Sequence, residues 1–335
     1  MLAKTGSMRI RFGYVAMSQQ LVNASPSKTM TVKQFTELDH PEAAIRKLER
    51  IAKENIKNCL RLVKHNKASD VTFFRLSSRL VPLANHPLTE GWKYERAIAA
   101  ELGELGQFIN ENKMRVDFHP DHFVVLNSKS KQVTQQALQQ LLYHYKLLKG
   151  LHIDPVHRCV LHIGGKKEGT EGGLERFIEN FSDIPSALSN MLILENDDKN
   201  YTIEDALYLG EKLGIPIVFD LHHYDVHQND SYLPELWNRV VATWKESPLP
   251  VKMHISSPKD GPGDRAHAEY IDTERFVEFL KMIDGSVDQL DVMIEAKQKD
   301  LALERLLNEL STYSSVHHVS GSEIDFYQNE IANHL

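Results

Sequence analysis

His119, His162, Glu195, Asp220, His223, Lys252, His254 and Glu295 follow one another along the chain, each inside or just beyond a short apolar run. Alternation within those runs puts Val160 with His162, Val218 with Asp220, Lys252 with His254, and Met293 with Glu295 on one strand face. If the apolar face meets covering helices, these polar groups point inward, where burial without partners is costly. Divalent cations are the partners that imidazole and carboxylate donors suit, and a donor set of N and O without Cys sulfur favours Mn, Zn, Fe or Co. A single histidine at a strand end is ordinarily a hydrogen-bonded core or surface residue. Six consecutive runs ending in His, Asp or Glu point instead to a metal site. About eight donors, with Glu195 and Glu295 able to bridge, suffice for two or three ions.

Lys252 has two readings. A protonated amine cannot ligate a cation, so it pairs with a carboxylate such as Glu295. Alternatively, its pKa falls beside metals and the neutral amine takes up carbon dioxide, giving a carbamate that bridges ions.

The runs that carry these residues read as strands: Arg9–Val15, Val71–Ser77, Met114–His119, Cys159–Ile163, Leu192–Glu195, Pro216–Leu221, Val251–Ser256 and Asp291–Ala296. Between them, apolar residues at three- and four-residue spacing predict helices over Glu42–Val63, Tyr94–Ile109, Thr134–Leu148, Leu174–Phe181, Thr202–Leu213, Leu233–Trp244, Thr273–Ile283 and Leu301–Leu310. Eightfold strand–helix alternation predicts a single (β/α)8 TIM barrel of the α/β class, with its chemistry at the C-terminal ends of the strands. An open doubly wound sheet would more often show a glycine-rich turn after the first strand, where this chain has only Gly13. One domain is expected over residues 1–335, with 1–8 as an N-terminal extension. The segment 311–335 lacks a clear period and either packs across the barrel or stays mobile. The long loop Ser78–Gly91, with Pro82 and Pro87, falls on the functional side.

Of the 335 residues, 41% are hydrophobic and 25% charged, which is enough to bury a large core. No apolar run approaches the roughly 18 residues of a membrane span, and Met1–Ser7 lacks the apolar region of a secretory signal, so a cytoplasmic location is expected. Only Cys59 and Cys159 are present, which supports neither a disulfide framework nor a thiolate zinc site. The net charge of −7 argues against gripping a polyanion by bulk charge, an objection that bound cations would offset. Lys129, Lys131, Lys166, Lys167, Lys259 and Arg265 lie in loops after the third, fourth and seventh strands, beside Gly164, Gly165, Gly261 and Gly263, and would form a basic rim. Nothing points to an obligate protein partner.

The motifs occur in a telling order: FGY at 12–14, FRLSS at 74–78, DFHPDHF at 117–123, LHIGG at 161–165, LEND at 194–197, FDLHH at 219–223, KMHISS at 252–257, an isolated His267, and IEAKQKD at 294–300. This ordered set resembles the UV damage endonucleases, DNA repair enzymes related to the endonuclease IV barrel. The resemblance implies metal ligands at His119, His162, Glu195, Asp220, His223, His254, His267 and Glu295, and a carboxylated Lys252. His267, in a loop after GPGDRA, comes from the resemblance alone. The implied activity, centred on Glu195, Lys252 and Glu295, is cleavage of damaged double-stranded DNA immediately 5′ to cyclobutane pyrimidine dimers or 6-4 photoproducts. It leaves a 3′-hydroxyl and a 5′-phosphate and uses divalent ions, three of them and typically manganese, with Zn, Mg or Co as substitutes. It also implies that His122 and Phe123 probe the duplex where the family often has Gln and Tyr, and that Tyr14 and Ser18 contact the lesion. Lys166, Lys259 and Arg265 would meet the DNA backbone.

Two other activities use similar donors. A sugar isomerase or epimerase needs one or two metals, leaving His119, His162 and His267 without a joint task. An apurinic-site endonuclease shares the metal chemistry but reads a different lesion; the His122–Phe123 loop and Lys252 favour the UV enzyme.

Overall fold

A computed structural model describes residues 6–227 and 231–328. Eight parallel strands, β1 (Met8–Val15), β2 (Phe73–Arg75), β3 (Arg115–Asp117), β4 (Cys159–His162), β5 (Leu192–Glu195), β6 (Ile217–Asp220), β7 (Val251–Ile255) and β8 (Gln289–Ile294), alternate with helices. Their order, β3-β2-β1-β8-β7-β6-β5-β4, curls into a nearly closed (β/α)8 barrel. The seam between β3 and β4 is held by one bridge, Phe118 to Cys159, whose backbone bonds run from Phe118 to Arg158 and from Val160 to Phe118.

The predicted alternation holds along the inner and outer faces. Phe12 packs outward against Phe276, and Phe219 outward against Trp237 and Phe279, all three partners lying on covering helices. Inward positions are charged even deep in the barrel. Asp291 on β8 is fully buried and accepts from Arg11 at 2.6 and 2.9 Å and from Arg115 at 2.7 Å, while the Arg115 guanidinium lies over Phe73 and Trp244. A charge layer thus supports the upper end of the strands.

Two expectations need correction. The third and eighth strands stop at Asp117 and Ile294, so His119 and Glu295 sit in the loops just beyond them rather than in the strands. The helix predicted over Tyr94–Ile109 breaks at Ile98, whose backbone leaves helical geometry between Tyr94–Ala97 and Ala99–Glu111. The C-terminal segment, as far as residue 328, takes the first of the two outcomes the sequence left open and packs on the barrel. It forms a hairpin, β9 (Val316–His318) and β10 (Glu323–Phe326), and β10 pairs antiparallel with β1 from Met8–Phe326 to Arg11–Glu323. The reason is geometric: β2 reaches β1 only from Gly13 onward, leaving the first half of that edge unpaired, and an exposed edge is a liability. Ile324 and Phe326 bury there, and Arg9 ties the hairpin down through Asp325 at 2.6 Å.

Candidate metal centre

Glu195, at the end of β5, is the hub of the site. Its Oε2 lies 2.8 Å from His119 Nε2 and 2.9 Å from His162 Nε2, and its Oε1 lies 2.7 Å from His254 Nδ1. It belongs to two groups of donors whose ligand atoms all fall within 4.8 Å of one another: His119, His162 and Glu195 on one side, and Glu195, Asp220, His254 and Glu295 on the other. Parallel register explains the meeting, since His162 pairs with Glu195 across β4–β5 and Asp220 with His254 across β6–β7. Asp220 also caps the short helix Leu221–Val226 by accepting from the His223 backbone at 2.8 Å, which turns His223 back over the site.

The donor set fits divalent cations on three observations. Asp220 Oδ2 is buried with no hydrogen-bond partner, as expected of an oxygen waiting for a cation. Burial, reinforced by the charges of Glu195 and Glu295 and opposed by His223, holds Asp220 well above the usual carboxylate range. Third, several imidazoles are oriented by carbonyl acceptors. The Nδ1 atoms of His119, His223 and His267 lie 3.1, 2.7 and 2.8 Å from the oxygens of Pro120, Asn196 and Glu295. A carbonyl can only accept, so Nδ1 carries a proton and Nε2 is the atom turned toward the site, the usual orientation of a histidine ligand. Glu195 itself is held well below its normal range: burial opposes ionisation, but His254, His162 and His119 outweigh it.

His267 reaches the site through a loop pinned by an antiparallel bridge to Pro258 and by backbone bonds from Lys259 to Ala266 and from Ala268 to Ser257. Its ring stands 6.5 Å from that of His223, and both line the same cavity of about 760 Å³. That cavity opens above Glu195 and Glu295 and has His122 at its margin.

Lys252 is fully buried, and its amine pairs with Asp117 rather than with Glu295. Glu295 is already taken by Arg75, whose Nη1 lies 2.7 Å from Oε1. Burial, opposed by Asp117, lowers the Lys252 amine to about 8. Lys252 does not line the cavity.

Tyr14 and Ser18 are not brought to the metal cavity. With Gly13 and Val15 facing inward, Tyr14 points outward, edge-on to Phe74 and hydrogen-bonded to Asn66, with no exposed surface. Ser18 closes its own turn by accepting from the backbones of Gln20 and Leu21 at 3.0 and 3.1 Å, and it donates to Asp300. His122 and Phe123 are exposed, Phe123 by 59%, with ring centroids 6.2 Å apart. Lys166, Lys259 and Arg265 are exposed in their loops, and Arg265 pairs with Asp198 at 3.4 Å. The loop that carries Lys166 is firmly set. Gly164 has φ +128°, where a Cβ would strike the Asn127 amide, and Gly165 O accepts from Asn127 at 2.6 Å and Tyr201 at 2.8 Å.

Sequence reasoning missed Arg75, Asp117 and Asn196, although one signal was present: a lone arginine inside the apolar run VTFFRLS, on the inward parity of Phe73. Asn196 binds both ends of the Asp220 peptide region, donating to Asp220 O and accepting from Asp220 N at 3.0 and 2.9 Å.

Comparison with known proteins agrees with this geometry. The chain is 62% identical over 320 residues to the UV DNA damage endonuclease of Halalkalibacterium halodurans, covering 95% of this chain and 99% of that one. It is 37% identical over 319 residues to that of Bacillus cereus, covering 95% and 100%. The crystal structure of SacUVDE superposes with a TM-score of 0.79 at 31% identity, covering 90% of this chain and 98% of that one. Endonuclease IV from Thermus thermophilus, at 15% identity and a TM-score of 0.51 over 90% and 100% of the two chains, shares the fold. The profile described as UV-endonuclease UvdE matches residues 10–327, and on this evidence the chain belongs to the UV-endonuclease UvdE family.

Proposed function

We propose that this chain is a metal-dependent endonuclease of damaged DNA that cuts the phosphodiester immediately 5′ to cyclobutane pyrimidine dimers and 6-4 photoproducts, leaving a 3′-hydroxyl and a 5′-phosphate. The observation that carries the reading is Glu195, shared by two donor groups at the floor of an open cavity beside the exposed His122 and Phe123. Family membership and the names of its relatives supply the substrate.

His119, His162, Glu195, Asp220, His223, His254, His267 and Glu295 would hold the ions, three by donor count, with manganese as the first choice and Zn, Mg or Co as substitutes. Lys252 would join them only on leaving Asp117, as its carbamate. Bound ions would supply the positive charge that activates water near neutral pH and stabilises the departing oxygen. The protein's part is to aim the donors. Carbonyls of Pro120, Asn196 and Glu295 fix three imidazoles, and Asn196 fixes the Asp220 backbone. Phe123, with an exposed ring, is suited to stacking against bases, and its neighbour His122 lines the cavity. Lys166, Lys259 and Arg265 would meet phosphates on the rim. The placement of Tyr14 and Ser18 gives no support to their contacting a lesion. No described helix is long and apolar enough to cross a membrane, and a cytoplasmic site of action suits a substrate of chromosomal DNA.

The test is nicking of UV-irradiated duplex by the purified protein with Mn²⁺. The expected product is a single cut on the 5′ side of each photoproduct; equal cutting of irradiated and undamaged duplex would remove the damage-recognition claim.

A further inference from the structure

From β3 to β8 each strand, or the loop just beyond it, sends a His, Asp or Glu to the centre, but the adjoining β2 sends a cation. Arg75 is 7% exposed and forms part of the cavity wall. Its Nη1 lies 2.7 Å from Glu295 Oε1 and its Nη2 lies 3.0 Å from His254 Nε2. Those two residues make up half of the four-residue donor group that also contains Glu195 and Asp220. Its Nε has no partner.

Hydrogen-bond direction makes this arrangement specific. A guanidinium only donates, so His254 Nε2 accepts and the imidazole proton sits on Nδ1, where it is donated to Glu195 Oε1 at 2.7 Å. That tautomer turns no lone pair toward Glu195, Asp220 and Glu295. Ligation of an ion by Nδ1 requires the other tautomer, in which Nε2–H would face the guanidinium N–H. Arg75 and an ion shared by His254 and Glu295 therefore exclude each other in this arrangement. The carboxylates of Glu195, Asp220 and Glu295 repel one another, and Arg75 offsets part of that charge.

We propose that Arg75 competes with one divalent ion for His254 and Glu295, and that loading of that ion requires Arg75 to withdraw from them. The inference rests on the metal-centre reading above. It makes Arg75 a competitor of the metal rather than a support for it, and the sign of one measurement separates the two roles.

The experiment is calorimetric titration of Mn²⁺ into the chelator-treated protein, wild type against Arg75→Met and Arg75→Lys, with thermal melts of each before and after loading. Without the guanidinium, Arg75→Met is expected to bind its weakest-held Mn²⁺ about tenfold more tightly or better. Its melting temperature should be lower than wild type when metal-free and should rise more on loading. Arg75→Lys keeps the charge but cannot span both residues, and should show a smaller gain in affinity. This variant keeps the proposal testable if the methionine form does not fold without metal. Unchanged or weaker Mn²⁺ binding in a folded variant overturns the proposal, because a supporting residue would lower affinity when lost. A wild-type protein that takes up no Mn²⁺ overturns the metal-centre reading and this inference with it, whereas bound Mn²⁺ whose affinity ignores Arg75 overturns only the inference.

Discussion

Glu195 on β5 and His254 on β7 meet at 2.7 Å across the intervening β6, so a single carboxylate ties the two halves of the ligand set together. Loss of its negative charge should therefore reach every ion in the centre. Glu195→Gln is expected to lower 5′ nicking of irradiated DNA by at least about a thousandfold, about 4 kcal/mol of barrier, with the far-UV spectrum unchanged. Metal analysis of the variant should show fewer ions per chain than wild type; full occupancy with full activity would contradict the hub role.

Metal loading should also stabilise the fold. Asp220 Oδ2 has no hydrogen-bond partner, and the Glu195 and Glu295 carboxylates converge on it. An ion bound only by the folded state adds about 2.7 kcal/mol at a free concentration one hundredfold above its dissociation constant. Melts in Mn²⁺ are expected to lie several degrees above melts in chelator, and elemental analysis should find at least two ions per chain. A melting temperature indifferent to Mn²⁺ would count against the centre.

Phe123 is the residue to remove for damage discrimination. Stacking of a base on an aromatic ring contributes about 1–3 kcal/mol, so Phe123→Ala should lower cutting of irradiated duplex roughly 5- to 150-fold. Because the ring is 59% exposed, the melting temperature should hardly move. Equal loss of stability and activity would assign the ring to packing instead.

Acid stability should show the imprint of His144, on the helix Lys131–Gly150. The residue is 1% exposed, its Nδ1 donates to Gln140 O at 2.7 Å, and its ring packs edge-on to Phe118 and Tyr143. Burial lowers it from the ordinary 6.5 to about 4. The unfolded chain takes up a proton below about pH 6.5 while the folded protein does not until near pH 4. This contribution is complete above pH 6.5, declines as pH falls through that window, and changes no further below it. Its upper bound is on the order of 3 kcal/mol. Urea unfolding of wild type and His144→Gln at pH 7.5, 5.5 and 4.5 should show a smaller loss on acidification in the variant; parallel losses would assign the acid sensitivity to other groups.

Alternation of apolar and polar residues was enough to indicate eight strands, their inward faces and the donors at their ends, because strand parity and helix period are local properties written in every few residues. Thus His162, Glu195, Asp220 and His254 were legible as inward donors, and ordered motifs added His267. Which inward charges meet depends on the stagger of strands far apart in the chain, and no local pattern encodes that. Only the folded barrel set Lys252 against Asp117 instead of Glu295, brought Arg75 onto Glu295 and His254, and turned Tyr14 toward Asn66. The C-terminal hairpin was hidden for the same reason: its strands gain stability by completing an edge of β1 more than three hundred positions earlier in sequence, as the pairing of Met8 with Phe326 shows.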